Sequence, residues 1–254
     1  MFDVKGFLID LNGTVYSKDK EIEGSFKFIR ELQKKGISYR LLTNTASLTI
    51  SEVKDKLSSM GLEVKKEEII NPIIIADYYM KEKDIKNFYF AGEIKIKEQF
   101  QFSSLKKRNP EVVILGDMQS CCSYEELNKI YNYLINGSQL ISTSYSDFYI
   151  SENGRKIDTG AFTKLFENLV NKDAMIVGKP SELFYKFALK SMELSPKEVI
   201  AIGDDIKTDI RGAKSQGIYS VLVKTGKYNP EVVKKIKMKP DEVVNKLIDL
   251  FSLL

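Results

Sequence analysis

Short apolar runs alternate with amphipathic stretches along the chain. The runs predict strands over residues 6–9, 37–43, 87–91, 111–115, 139–143, 174–177, 198–202 and 220–223. Between them, apolar residues recur three and four apart. Residues 25–35 put Phe26, Ile29 and Leu32 on one face and stop at Gly36. Thr49-Ile50-Ser51-Glu52 has the form of a capping box, with Val53, Leu57 and Met60 behind it and Gly61 as the stop. Ser123-Tyr124-Glu125-Glu126 repeats that start, followed by Leu127, Ile130 and Leu134 and closed by Gly137. Ser181 is placed to cap a helix that buries Phe184, Phe187 and Ala188. From Pro240, the spacing of Val243, Leu247 and Leu250 predicts a final helix.

Strand–helix alternation of this kind implies α/β architecture, with parallel sheets covered on both faces. There is no internal repeat, no low-complexity tract and no long linker. The middle of the chain reads as extra strands of one sheet or as a separate inserted domain, and periodicity leaves both open.

Composition narrows the chemistry. The 254 residues are 43% hydrophobic and 29% charged, ordinary globular usage, and contain no histidine. That excludes a Ser-His-Asp hydrolase, a His-ligated metal and a phosphohistidine enzyme. Net charge is +4, from 39 Lys+Arg against 35 Asp+Glu, with both signs dispersed. The Lys-rich stretches 31–36 and 231–239 read as solvated helix faces, so no nucleic-acid partner is expected. Cys121 and Cys122 are adjacent, provide no disulfide framework, and neither begins a Cys-x5-Arg loop. The start of the sequence lacks a signal-peptide pattern and no apolar run reaches membrane-spanning length, so the expectation is a cytoplasmic protein without a membrane partner.

Four segments, each just after an apolar run, concentrate the reactive side chains: Asp10-Leu11-Asn12-Gly13-Thr14, Thr43-Asn44, Gly178-Lys179-Pro180 and Gly203-Asp204-Asp205, continued by Thr208-Asp209. Ligands of open α/β sheets bind outside the carboxyl ends of the strands, so the four can converge on one crevice. Asp10, Asp204, Asp205 and Asp209 would repel one another without a cation between them, and Mg²⁺ suits a few carboxylates plus waters. Lys179 and Thr43 would orient phosphate oxygens. An ionised aspartate can then attack phosphorus. Neither a G-x-x-x-x-G-K-[ST] nor a G-x-G-x-x-G cradle is present. For Asp205, capping of the next helix weighs equally with a ligand role. Tyr145, Asp147, Tyr149 and Arg155 read as ordinary loop and strand residues.

These motifs resemble the haloacid dehalogenase (HAD) superfamily, specifically the subfamily with a large α/β cap that includes 4-nitrophenylphosphatase-like and nucleotide-monophosphatase-like proteins. Asp10-Leu11-Asn12-Gly13-Thr14 stands for Asp-x-Asp-Gly-Thr, and Gly203-Asp204…Asp209 for Gly-Asp-x(4)-Asp. The resemblance covers nearly the whole chain. It implies a doubly wound, Rossmann-like core from residues 1–82 plus 174–254, and an inserted smaller α/β cap from 83–173. It further implies a Mg²⁺-dependent phosphohydrolase acting on small phosphorylated metabolites through an aspartyl-phosphate, and it allows a homodimer. Asp10 would be nucleophile and metal ligand, the residue 12 carbonyl and Asp204 further ligands, and Asp205 or Asp209 a support for the metal through water. Thr43 and Asn44 would bind the phosphoryl group, and Lys179 would hold both it and Asp10. One departure stands out: Asn12 occupies the place of the acid/base aspartate, and an amide cannot exchange a proton near neutral pH. Asn12 also favours an alternative, a pseudophosphatase or phosphate-binding module with little turnover. A receiver-like domain phosphorylated on Asp10 would have no use for a cap.

Overall fold

The computed structural model describes residues 4–100, 109–151 and 154–253. In chain order the first elements are β1 (Gly6–Asp10), β2 (Tyr16–Ser17), β3 (Lys20–Glu21), α1 (Ser25–Lys35), β4 (Ser38–Leu42), α2 (Ile50–Ser59) and β5 (Ile69–Ile70). The middle of the chain forms α3 (Pro72–Glu82), β6 (Phe88–Ala91), α4 (Ile94–Lys97), β7 (Val112–Leu115), α5 (Tyr124–Ile135) and β8 (Gln139–Ser142), followed by β9 (Phe148–Ser151), β10 (Gly154–Ile157), α6 (Thr159–Val170) and β11 (Met175–Ile176). The last part holds α7 (Glu182–Met192), β12 (Val199–Gly203), a π-turn at Ile206–Ile210 leading into α8 (Arg211–Ser215), β13 (Tyr219–Val223), α9 (Pro230–Lys235) and β14 (Glu242–Val244).

Two parallel sheets carry these elements. The first has the order β14-β13-β12-β1-β4-β5 and the second β11-β8-β7-β6. Every residue of β1 and β12 is buried, as strands covered on both faces require, which is why they read as unbroken apolar runs. In the second sheet, Val113, Leu115 and Leu140 pack with Ile130 and Leu134 of α5 and Phe166 of α6. Burying each such side chain contributes about 1.5–3 kcal/mol.

The chain divides into two compact units. One comprises the residues up to Thr43, Ile50–Ile70 and those from Lys179 onward, and contains the first sheet; the other comprises Asn44–Thr49 and Asn71–Gly178, and contains the second. The fold is thus a parallel α/β core with a smaller inserted α/β cap domain. Among the described residues, no helix is long and apolar enough to cross a membrane.

Helix starts follow their caps. The Ser123 hydroxyl accepts from Glu126 N at 3.1 Å and the Ser181 hydroxyl from Phe184 N at 3.3 Å. The sequence reading passed over α3, where Ile73-Ile74-Ile75 blurs the polar face, although Asn71 caps it through Ile74 N at 3.1 Å and Pro72 opens it.

Two expectations need correction. The strand predicted at 174–177 pairs with β8 of the second sheet, with Val177 N donating to Ser142 O at 2.9 Å; an apolar run does not say which sheet it joins. The segment after Pro240 is not a continuous helix. It forms β14 and then a 3₁₀ stretch, Leu247–Leu253. Asp241 accepts from Ser220 N at 2.8 Å and Ser220 Oγ at 2.9 Å, holding the segment alongside β13, so Leu247 and Leu250 stay buried while Val243 is exposed.

Candidate active site

The first sheet changes direction at β1: β4 and β5 extend it one way, β12, β13 and β14 the other. Such a switch point opens a crevice at the carboxyl ends of the strands. Asp10, the last residue of β1, stands in register with Leu42, so Thr43 follows directly beside it. Ile9 stands in register with Ile202, which places Asp204 just past the end of the adjacent strand. The π-turn then returns Asp209 to this point, its N–H donating to Asp205 O at 2.9 Å. Lys179 precedes α7, with a cis peptide to Pro180.

These segments bring four charged side chains together. Lys179 Nζ donates to Asp10 Oδ1 at 2.5 Å and to Asp209 Oδ1 at 2.7 Å. Asp209 Oδ2 accepts from Asp205 N at 3.1 Å. Asp204 Oδ2 accepts from Lys227 N at 2.5 Å, and its Oδ1 lies 3.5 Å from Thr14 Oγ1. Asp10, Asp204, Asp209 and Lys179 are each no more than 7% exposed. Behind them, the buried Tyr185 hydroxyl donates to Asp209 O at 3.0 Å.

The charges do not balance. Burial pushes the Asp10 carboxyl up to about 6 despite the opposing pull of Lys179. Asp204 and Asp209 are raised for the same first reason, burial, with Asp204 further raised by Asp209. Burial alone would lower Lys179, but Asp10 and Asp209 outweigh it and hold the ammonium well above its ordinary value. One cation among three buried carboxylates is fully charged itself while leaving them short of positive charge.

That deficit matches a hard cation. Asp10, Asp204 and Asp209 each offer an oxygen, and these atoms lie within 4.8 Å of one another. Asp10 Oδ2 is buried and has no hydrogen-bond partner. Such an atom is costly to desolvate unless something positive meets it. An all-oxygen donor set suits Mg²⁺ and similar ions over soft metals.

Two glycines let the surrounding loops close. Gly13 (φ 100°) and Gly226 (φ 47°) both adopt left-handed backbone, and a Cβ on either would collide with Asp204 Oδ2. Thr225 Oγ1 donates to Gly13 O at 2.5 Å, which ties the two loops together. Thr225, Gly226 and Lys227 escaped the sequence reading. The signal was available: they follow the strand at 219–223, at the same carboxyl edge as the other segments.

The remaining candidates separate. Thr43 is buried and its N–H donates to Ile70 O at 3.0 Å. Asn12 has an exposed side chain, at an isolated bridge to Tyr16. Asn44 falls in the second unit. Asp205 caps the π-turn, with Oδ1 accepting from Lys207 N at 2.8 Å. In the second unit, Asp147 pairs with Lys164 at 2.5 Å, Tyr145 OH donates to Glu167 at 3.0 Å and Arg155 stacks on Phe148.

Residues 7–106 match a family profile described as haloacid dehalogenase-like hydrolase, and residues 176–250 a second, HAD-hydrolase-like profile. The phospholysine phosphohistidine inorganic pyrophosphate phosphatase of Xenopus laevis is 34% identical over 99% of this chain and 94% of its own length. A haloacid dehalogenase-like hydrolase domain-containing protein 2 of Mus musculus is 28% identical over 93% of this chain and 90% of its own. Among solved structures, 4-nitrophenylphosphatase from Thermotoga maritima superposes with a TM-score of 0.91 at 27% identity, covering 98% of this chain and 97% of that one. A double-mutant 4-nitrophenylphosphatase (NPPase) from Geobacillus stearothermophilus gives 0.86 at 31% identity, with 96% of each chain covered.

Proposed function

The chain belongs to the haloacid dehalogenase-like hydrolases and is a phosphatase, and we propose that it cleaves small phosphorylated metabolites with Mg²⁺ through an aspartyl-phosphate on Asp10. The observation that carries this reading is the buried trio Asp10, Asp204 and Asp209 around Lys179, with Asp10 Oδ2 left unpartnered. Asp10, Asp204 and Asp209, with the Asn12 carbonyl, would hold the ion. When bound, it would neutralise the carboxylates and screen phosphate charge from the attacking oxygen.

The chain's own groups account for the rest. Asp10, held by Lys179, attacks phosphorus, the leaving group departs with its electron pair, and water then hydrolyses the acyl phosphate. Lys179 keeps Asp10 ionised and aimed, and its positive charge would favour the phosphoryl group beside Asp10. Thr43, one residue past the strand partner of Asp10, would bind a second phosphoryl oxygen. Asn12 can donate a hydrogen bond from its amide but cannot pass a proton.

The test is single turnover of 4-nitrophenyl phosphate with Mg²⁺, acid quench and peptide mapping. Alkali-labile, hydroxylamine-sensitive phosphate on the peptide containing Asp10 supports the reading; phosphate on another residue, or none during turnover, refutes it. A second reading, a phosphate-binding module with little turnover, is favoured only by Asn12, and it predicts binding of inorganic phosphate without any acyl phosphate.

A further inference from the structure

Lys179 cannot be the whole of the site's positive charge toward substrate, because both Asp10 and Asp209 draw on it at 2.5 and 2.7 Å. One other ammonium comes from the same cluster. Lys227 donates its backbone N–H to Asp204 Oδ2, and its Nζ lies 3.4 Å from Asp205 Oδ2. Its side chain is 72% exposed. The root is fixed and the tip is not. Thr225 anchors the turn to Gly13 O at 2.5 Å, and Gly226 takes a left-handed conformation that a side chain would strain. An ion pair this long and this exposed is weak and exchanges readily. The charge of Lys227 nevertheless acts on both Asp10 and Asp204.

We propose that Lys227 is a specificity residue of this site, releasing Asp205 to pair with a second anionic group that the substrate carries beside its scissile phosphoryl. The inference rests on the phosphatase reading and adds a substrate class: small phosphorylated molecules with an adjacent phosphate or carboxylate, favoured over those whose leaving group is uncharged. The backbone N–H that holds Asp204 survives any substitution at 227 except proline.

The experiment compares kcat/KM for inorganic pyrophosphate, 2-carboxyphenyl phosphate and 4-nitrophenyl phosphate in the full chain with Mg²⁺. In Lys227→Gln, the preference for either probe that carries a second anionic group over 4-nitrophenyl phosphate should fall about 10- to 100-fold, the worth of one charge-assisted hydrogen bond. Lys227→Arg should restore most of it. A fall confined to pyrophosphate assigns the second group as phosphate; a fall confined to 2-carboxyphenyl phosphate assigns it as carboxylate. Equal losses on all three probes would reduce Lys227 to a loop-holding role, and unchanged ratios would remove it from recognition; either overturns the proposal. If the wild-type protein turns over none of the three, the phosphatase reading fails separately. Lys227 is then judged by calorimetry, where Lys227→Gln must weaken pyrophosphate relative to inorganic phosphate by the same factor or the proposal falls.

Discussion

Lys179 Nζ stands 2.5 Å from Asp10 Oδ1, and the two side chains are 3% and 9% exposed. The pair joins a strand end to a loop 169 residues later in the chain, so it is a tertiary device and not a local one. Removing the ammonium would leave three buried carboxylates facing one another with no buried cation between them. Breaking a buried pair from one side typically costs about 3–5 kcal/mol. Lys179→Met should therefore lower unfolding stability by about that amount at pH 7.5 without divalent cation, measured by urea titration. At pH 5 the loss should be smaller, since protonated carboxyls do not need the ammonium. An equal loss at both pH values would show that Lys179 matters only through packing.

The carboxylates also set a pH dependence. Asp10 moves from an ordinary value of 3.8 to about 6 on folding, and Asp204 and Asp209 move the same way. Between the two values the folded state binds protons more tightly than the unfolded chain, so stability falls as pH rises. The contribution is complete below 3.8 and is gone above about 6. In EDTA, the melting temperature should drop between pH 5 and pH 7.5, and Asp204→Asn should drop less than wild type. Mg²⁺ should recover the loss at pH 7.5 and add little at pH 5. If Asp204→Asn responds to Mg²⁺ as strongly as wild type, Asp204 does not hold the ion.

Much of the core was legible because its strands are buried on both faces. β1 and β12 announce themselves as unbroken apolar runs, each ending at a polar cluster that the topology then makes adjacent. The Ser123 and Ser181 caps were equally plain, since capping is a contact within one turn. What stayed hidden depends on distant partners. Nothing in Met175-Ile176 specifies β8, and nothing near Glu242 reveals that Asp241 will be gripped by Ser220. For Lys227 the available signal was its position after β13 alone, because its link to Asp204 uses a backbone N–H, which carries no residue-type signal.

The division of the chain follows from those same pairings. The sequence suggested an insertion over 83–173, whereas α3 groups with the second unit and buries Ile73, Ile75, Ala76 and Met80. Replacing 71–178 with a Gly/Ser linker should leave a first unit that unfolds cooperatively, since all six strands of its sheet remain. Replacing only 83–173 should strand an apolar helix without the unit it packs into, giving a protein that aggregates or melts broadly. Calorimetry and light scattering compare the two. The opposite ranking would assign α3 to the first unit.

Asn12 decides which half of the reaction is slow. Attack by Asp10 on an aryl phosphate with an electron-withdrawing group needs no proton donor, because the phenolate leaves unaided. An alkyl phosphate releases a poorer alkoxide and needs an acid. Hydrolysis of the aspartyl-phosphate needs a base to take a proton from water, whatever the leaving group was. The protein should therefore turn over 4-nitrophenyl phosphate slowly and alkyl phosphates barely, with a burst of 4-nitrophenol approaching one equivalent in stopped flow. Asn12→Asp should raise steady-state turnover by about two to four orders of magnitude, the usual worth of a general acid/base, and should abolish the burst by draining the intermediate. Because the Asn12 side chain is exposed and the replacement nearly isosteric, stability should hardly change. Asp10→Asn should eliminate burst and turnover together. If Asn12→Asp gains nothing while Asp10 remains essential, another group moves the proton, and residue 12 contributes only its backbone.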